Sequence, residues 1–286
     1  MLFRSGFQWE SQSLEPGESW SGGWVVSLGE DQAALSQRTQ QWLSGKSAEE
    51  LLQAEEEEWS QWHAVETPPA GLLPEEQALY RQSTAVLRMA QGRGDGAGQI
   101  IASLPPGIWN ITWPRDMSYA IQALQASGHS QEAQDAIQFV LHGKTGYYKD
   151  YVGGQDYLVS IARYYGDGTE ESDGATCADG SDAGPNVELD DFGLFLQAWA
   201  AVPGAAGAET VRARGVAPLQ ALVQPNGLLT ADSSIWERHW NNCFPNGRKQ
   251  FAWSSIQAAA GLEAMGEDAT LLRQGLLKVS GETKDK

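Results

Sequence analysis

The sequence predicts a mainly α-helical fold, in which paired helices form a toroid and long loops at one end build a pocket. Three observations favour this fold. Helix capping signals and apolar periodicity recur along the chain from Gln32 onward, whereas strand-like patterns are confined to the first 30 residues. Two connections between predicted helices, 144–185 and 224–248, are unusually long. Loops of that length in a compact domain are usually functional.

The first 30 residues predict one β-hairpin. Segments Leu2–Ser13 and Ser19–Leu28 are rich in Phe, Trp, Val and Ser, and a Glu-Pro-Gly-Glu turn signal separates them. A lone hairpin is only marginally stable in water, and no further strand pattern follows it. We therefore expect the chain to begin within a β-domain, of which residues 1–30 are the last part.

The helices that follow are predicted from local signals. Ser47 and Glu50 have the spacing of a capping box, Pro74 suits a first helical turn, and Gly128 ends a helix. Pro218 is expected to bend or break the helix that contains it. The predicted helices are 47–63, 74–90, 116–127, 130–143, 187–201, 208–223, 250–265 and 268–277.

Charge and composition exclude several classes of function. Lys and Arg number 19 against 37 Asp and Glu, and the resulting net charge of −18 disfavours binding to nucleic acid or to anionic membranes. No apolar run approaches the ~20 residues that span a bilayer. Cys177 and Cys243 lack metal-ligand spacing, so we predict no metal site, and the two thiols either pair or stay free. The 12 Trp residues suit a large core or stacking on sugar faces.

The segment 107–116, Gly-Ile-Trp-Asn-Ile-Thr-Trp-Pro-Arg-Asp, immediately precedes a predicted helix. Trp109 and Trp113 can pack on the apolar face of a sugar ring, while Arg115 and Asp116 provide donors and an acceptor for its hydroxyls. These residue types together indicate a sugar site. The alternative is that Asp116 is simply the helix N-cap.

A second segment places carboxylates at a predicted helix start. Glu188, Asp190 and Asp191 lie there, in a stretch without Lys or Arg between Arg163 and Arg212. Acidic residues in a first helical turn interact favourably with the helix dipole, which is the alternative to a binding role. The spacing does not fit a calcium-binding EF-hand loop.

A third segment contains Ile235-Trp236-Glu237. A carboxyl group beside Trp236 is expected to be partly desolvated, which would raise its pKa and keep it protonated as a general acid. Glu237 is therefore the candidate acid, and an exposed loop glutamate is the alternative.

Together these motifs resemble the family 15 glycoside hydrolases, the glucoamylase-like enzymes of bacterial type. The run 113–116, Trp-Pro-Arg-Asp, is similar to the family's Trp-x-Arg-Asp motif, which lines the terminal-sugar subsite. Trp236-Glu237 is similar to its Trp-Glu motif, whose Glu is the general acid. The acidic segment 188–193 and the aromatic segment 248–259 stand in the family's order, and the resemblance covers about residues 20–275.

The resemblance implies an (α/α)6 toroid preceded by a β-sandwich and a helical linker. Residues 1–30 would end the sandwich, 31–70 would form the linker, and 71–286 would form the first half of the catalytic toroid. It also implies exo-acting, inverting hydrolysis of α-glucosidic bonds in α-glucans or related oligosaccharides, without a cofactor. Glu237 would be the general acid, and the substrate-binding residues would be Trp109, Trp113, Arg115, Asp116, Trp236, Glu188 and Asp190.

The family's general base lies in a late loop of the toroid, beyond Lys286 in this numbering. We therefore expect a fragment that needs the C-terminal half of the toroid for completion, self-associates alone and releases no glucose. The alternative is a non-catalytic carbohydrate-binding remnant. Epimerisation or phosphorolysis on the same toroid is less favoured, because no basic phosphate pocket is evident. An extracellular or periplasmic location is favoured for the full-length protein.

Overall fold

The computed structural model describes residues 13–19, 31–172, 174–237 and 249–282, which are mainly helical with a small two-stranded sheet. The mainly α-helical prediction is confirmed. The chain divides into two compact units, Met1–Ala64 and Val65–Lys286, and the division into sandwich, linker and toroid remains a prediction. The strands of the predicted hairpin lie almost entirely outside the described residues. Its turn is confirmed, since the Glu18 N–H donates to the Glu15 carbonyl over 3.0 Å.

The N-terminal unit contains two helices, α1 (Gln32–Leu43) and α2 (Ala48–Ala64). The capping box predicted for α2 is confirmed. The Ser47 N–H donates to Glu50 Oε2 over 2.7 Å, and the Glu50 N–H donates to Ser47 Oγ over 3.1 Å. Each side chain thus satisfies a backbone donor that the helix leaves without an intrahelical partner.

The helices of the C-terminal unit begin and end close to the predicted residues. Gly128, in a left-handed conformation at φ +101°, ends a helix as expected. The single helix predicted at 208–223, which contains Pro218, is interrupted. A π-helical turn at Arg212–Val216 separates two short helices there. The helices are α3 (Pro74–Ala90), α4 (Pro114–Ser127), α5 (Ser130–Leu141), α6 (Asp190–Ala201), α7 (Ala208–Val211), α8 (Ala217–Ala221), α9 (Ala252–Ala264) and α10 (Thr270–Glu282).

The first long connection contains a small antiparallel sheet that the sequence analysis did not predict. Strand β1 (Arg163–Tyr164) pairs with β2 (Glu170–Glu171). The buried Glu170 carboxylate organises this loop, because it accepts hydrogen bonds from the Tyr157 hydroxyl over 2.8 Å and from the Ile161 N–H over 2.9 Å. The loop is therefore a fixed, hydrogen-bonded structure beside the helices.

Helices α4, α6 and α9 form the centre of the C-terminal unit, and α6 and α9 approach each other very closely. Two glycines allow this approach. A Cβ atom at Gly193 would lie 2.1 Å from the Gln257 carbonyl oxygen, and one at Gly261 would lie 2.4 Å from the Gly193 carbonyl oxygen. The contact brings the first turn of α6 next to the first turn of α9, where side chains of three helix starts meet.

Candidate functional site

Arg115, in the first turn of α4, binds two acidic residues at the start of α6. Its Nε donates to Asp190 Oδ2 over 2.8 Å, and its Nη2 donates to Glu188 Oε2 over 2.5 Å and to Asp190 Oδ1 over 3.2 Å. Both carboxylate side chains are fully buried, and the Arg115 side chain is 14% exposed. The planar fork of a guanidinium suits such a pair of charge-assisted hydrogen bonds.

Trp253 adds the start of α9 to this cluster. Its indole Nε1 donates to Asp190 Oδ2 over 2.7 Å. Both oxygens of Asp190 are thus occupied by groups of this chain. Asp190 therefore joins three helix starts, and the binding role predicted for it and for Glu188 remains a prediction.

Several buried carboxyl oxygens in the same region lack a hydrogen-bond donor among the described residues. Glu188 Oε1, both oxygens of Asp191, and Asp232 Oδ1 accept no hydrogen bond from the residues that the structure describes. Burial raises the pKa of Glu188 to about 8, with Arg115 opposing the rise. Burial also raises the pKa of Asp232 to about 7 and that of Asp191 well above its usual value. Desolvation favours the neutral acid, so these groups retain protons well above the normal carboxyl range.

A cavity of about 210 Å³ lies beside this cluster. Trp109 and Trp113 form one aromatic part of its wall, with ring centroids 5.6 Å apart in an edge-to-face arrangement. Asp116 and Glu237 are the two carboxylates that line it. The full lining is Ala102, Ser103, Trp109, Trp113, Asp116 and Glu237.

The cavity brings together four of the predicted site residues from two distant segments of the chain. The N-cap alternative for Asp116 is wrong, because Trp113 is the N-cap of α4 and no side chain caps this helix. Asp116 instead lies in the first turn, where its side chain reaches the cavity. Partial desolvation by surrounding protein atoms raises the pKa of Asp116, and the nearby Arg115 opposes this rise.

Glu237 reaches the cavity from a strained turn. It follows a short 3₁₀ turn at Ser234–Trp236 and has a left-handed backbone conformation with φ +49°. The expected desolvation by Trp236 is not observed in the described residues. Trp236 is 67% exposed and does not line the cavity, and Glu237 is itself exposed.

The described contacts of Arg115 are to acidic groups of this chain. The sequence predicted that it would bind sugar hydroxyls, whereas the structure directs Nε and Nη2 to buried carboxylates and does not place Arg115 in the cavity wall. The physical reason is electrostatic. A buried carboxylate is stabilised by a cation within hydrogen-bonding distance, and Arg115 is the cation that meets Glu188 and Asp190.

Several contributing residues were not identified from the sequence. Ser103 lines the cavity, and Asp232 and Ser254 lie beneath the Glu237 turn. No local pattern distinguishes them, although Trp253 belongs to the aromatic segment that the sequence analysis singled out. Cys177 is disulfide-bonded, and Cys243 lies outside the described residues.

Comparisons of the chain with protein-family models, with curated proteins and with solved structures found no match. Among the described residues, no three or more His, Cys, Asp or Glu side chains are grouped so that they could hold a metal ion. No helix in the described ranges has the length and apolar character needed to cross a bilayer. The functional argument therefore rests on the cavity and the residues around it.

Proposed function

We propose that the C-terminal unit carries a sugar-binding site of an exo-acting, inverting α-glucoside hydrolase, built on part of an (α/α)6 toroid. The observation that carries this proposal is the cavity itself, where Trp109 and Trp113 lie beside Asp116 and Glu237. The family 15 glycoside hydrolases, which the sequence motifs resemble, combine these residue types around the terminal sugar. The substrate class is an α-glucan or a related oligosaccharide.

The size and lining of the cavity support binding of a single sugar ring. Its volume of about 210 Å³ is below the ~300 Å³ at which pockets for drug-sized ligands begin. An aromatic wall suits the apolar face of a pyranose, and a carboxylate suits its hydroxyls. Asp116 would accept hydrogen bonds from the hydroxyls, and Trp109, which is half-exposed, would cover the open face of the ring.

Glu237 would act as the general acid. Its proton would pass to the glycosidic oxygen as the bond from that oxygen to the anomeric carbon breaks, and water would attack the opposite face of the ring. The resemblance implies a loop carboxylate as the base that accepts the proton of this water. Asp190 is unsuitable because both of its oxygens bind Arg115 or Trp253. Inverting enzymes separate their acid and base by about 6.5–9.5 Å to leave room for water.

A non-catalytic sugar-binding site is the second candidate. Two observations favour it. Trp236 does not cover Glu237, and both side chains are exposed. Asp116 is the only other carboxylate among the described residues that lines the cavity. In this case the aromatic wall and Asp116 would bind a sugar that is never cleaved.

The first experiment measures binding. Calorimetric titration of the chain with maltose should show saturable binding that is weakened by Trp109→Ala. Trp42→Ala is a matched control, because Trp42 and Trp109 are similarly exposed, 52% and 51%, and Trp42 lies in the other unit. Absence of maltose binding by the wild-type chain would contradict both candidates.

The second experiment measures glucose release from maltotriose, by the chain alone and by the chain joined to the C-terminal half of the toroid that the resemblance implies. Glucose release that Glu237→Gln removes would support the hydrolase. Binding without release from either protein would support the non-catalytic site instead.

A further inference from the structure

The turn that carries Glu237 is attached to the start of α6 through its backbone. The Ser233 N–H donates to the Val187 carbonyl over 2.6 Å, and the Val187 N–H donates to Ser233 Oγ over 2.8 Å. The Asp232 N–H donates to the Lys249 carbonyl over 3.2 Å. Hydrogen bonds to Lys249 and to Val187 therefore hold Asp232 and Ser233, which shortly precede Glu237 in the chain.

The next residues adopt strained backbone conformations. Ser234 and Glu237 both have positive φ values, +53° and +49°, and neither is a glycine. A non-glycine residue in this region is strained, and it persists only where surrounding contacts hold it. The strained segment between them must therefore be held by specific interactions of its neighbours.

Two buried side chains supply these interactions. Asp232 Oδ2 lies 2.7 Å from the Ser254 hydroxyl of α9 and accepts the Leu189 N–H over 3.2 Å. The Ser254 hydroxyl also lies 3.0 Å from Ser234 Oγ. Because Ser254 has one hydroxyl hydrogen, it can donate to Asp232 while accepting from Ser234. The turn is thereby joined to α6 and α9 at the residue where its strain begins.

We propose that Asp232 and Ser254 are positioning residues, which hold the strained Ser234–Glu237 turn so that Glu237 lines the cavity together with Asp116. This inference rests on the proposed function for its purpose, since a general acid must be held in place. Its structural content is independent of the sugar. Neither residue lines the cavity, so each acts through the turn.

Replacements at Asp232 can separate its shape from its charge. Asp232 Oδ1 accepts no hydrogen bond from the described residues, and all its observed hydrogen bonds are accepted by Oδ2. Asparagine keeps an oxygen for those donors and removes the charge, whereas leucine removes both. Asp232→Asn is therefore the conservative variant, and Asp232→Leu is the disruptive one.

Glu188 provides a reporter of the position of Glu237. Burial is the main cause of the raised pKa of Glu188, Arg115 opposes the rise, and the negative charges of Glu237 and Asp190 add to it. If Glu237 moves away, this repulsion weakens and the pKa of Glu188 falls. A carboxyl ¹³C titration of the chain, with the Glu188 signal assigned by its loss in Glu188→Gln, measures this without any ligand.

The expected result is a pKa for Glu188 of about 8 in the wild-type chain and a lower value in Glu237→Gln. Ser254→Ala and Asp232→Leu should lower it by a comparable amount, and Asp232→Asn should leave it close to the wild-type value. If Asp232→Leu fails to fold by circular dichroism, Ser254→Ala, which deletes a single oxygen, decides the result.

An unchanged pKa of Glu188 in folded Ser254→Ala would overturn the proposal. An equal fall of the Glu188 pKa in Asp232→Asn and Asp232→Leu would also overturn it, because the change would then come from the charge of Asp232. No response to Glu237→Gln would overturn it as well, since Glu237 would not lie where we place it. Loss of maltose binding with the reporter results intact would reject the proposed function alone.

Discussion

The Arg115 guanidinium donates from Nε to Asp190 Oδ2 over 2.8 Å, and this ion pair joins the first turns of α4 and α6. The same Asp190 oxygen accepts the indole N–H of Trp253 in the first turn of α9. The arrangement fixes the first turn of α4, which carries Asp116. A sugar site that depends on precise placement of its polar groups benefits from this rigid support.

Removal of Arg115 should strongly destabilise the fold. Arg115→Leu leaves the buried Asp190 carboxylate without its cation and the Glu188 side chain without a hydrogen-bond donor, and breaking a buried ion pair typically costs about 3–5 kcal/mol. Urea unfolding measures the change. Arg273→Leu is the control, because Arg273 and Glu263 form an exposed pair, and exposed pairs contribute little to stability. Equal losses in the two variants would contradict the structural role of Arg115.

Loss of the Asp116 charge should weaken sugar binding and leave the fold intact. Asp116→Asn removes a charged acceptor from the cavity wall, at a cost of about 1–3 kcal/mol or roughly 5- to 150-fold in the Kd for maltose. Calorimetry measures the affinity, and thermal unfolding checks the fold. Asp150→Asn, in an exposed turn outside the cavity, is the control. Maltose affinity equal to wild type would remove Asp116 from the site.

Replacement of the Glu237 carboxylic acid by an amide should slow glucose release more than it weakens maltose binding. In the proposed hydrolase, Glu237→Gln should lower the rate of glucose release from maltotriose by about 10²–10⁴-fold. Maltose affinity should change only a few-fold, because glutamine keeps the shape of the side chain. The exposed Glu209→Gln is the control. Normal turnover in the folded Glu237→Gln enzyme would exclude the acid role.

The stability of the fold should decrease as the pH rises from about 4 to about 7. The folded protein keeps a proton on Asp232 up to a pKa of about 7, whereas the usual value is 3.8. Between these values the folded state binds more protons than the unfolded chain, so its stability falls as the pH rises. Asp232→Asn should reduce this fall by on the order of 1–3 kcal/mol.

Urea unfolding at pH 5 and pH 7.5 tests this dependence. Glu188 should still contribute to the remaining fall, because burial raises its pKa in the same direction. Identical pH dependence in the wild-type chain and in Asp232→Asn would show that Asp232 ionises normally in the folded state.

The close contact of α6 and α9 should not tolerate a methyl group. Gly261→Ala places a Cβ atom 2.4 Å from the Gly193 carbonyl oxygen, and such overpacking typically costs about 1–3 kcal/mol. Gly281→Ala in α10 is the control, because that position meets nothing within 4 Å and alanine favours a helix by about 1 kcal/mol. A stable Gly261→Ala variant would show that the two helices can separate without loss.

Local sequence signals were sufficient for most of the helices. The capping box of Ser47 and Glu50, the start of α3 at Pro74 and the end of α4 at Gly128 were all predicted correctly. These signals act over a single helical turn, so they can be read without knowledge of the fold. The strands β1 and β2 were missed because two residues each are too few to show an alternating pattern.

The candidate site was only partly predictable. Trp109, Trp113, Asp116 and Glu237 were recognised from motifs, and the structure brings them to one cavity. Local sequence did not reveal that Arg115 would bind buried carboxylates, or that Trp236 would remain largely exposed. Both outcomes depend on which side chains surround them in space.

The sequence by itself determined the helical character of the chain, the ends of its helices and the residue types available for sugar chemistry, because propensity and capping act between near neighbours. Tertiary structure decided which carboxylates line the cavity and which are buried behind it. The pairing of Arg115 with Asp190, and of Ser254 with Asp232, joins residues far apart in the chain. Burial and charge neutralisation are properties of the assembled packing, which no single segment contains.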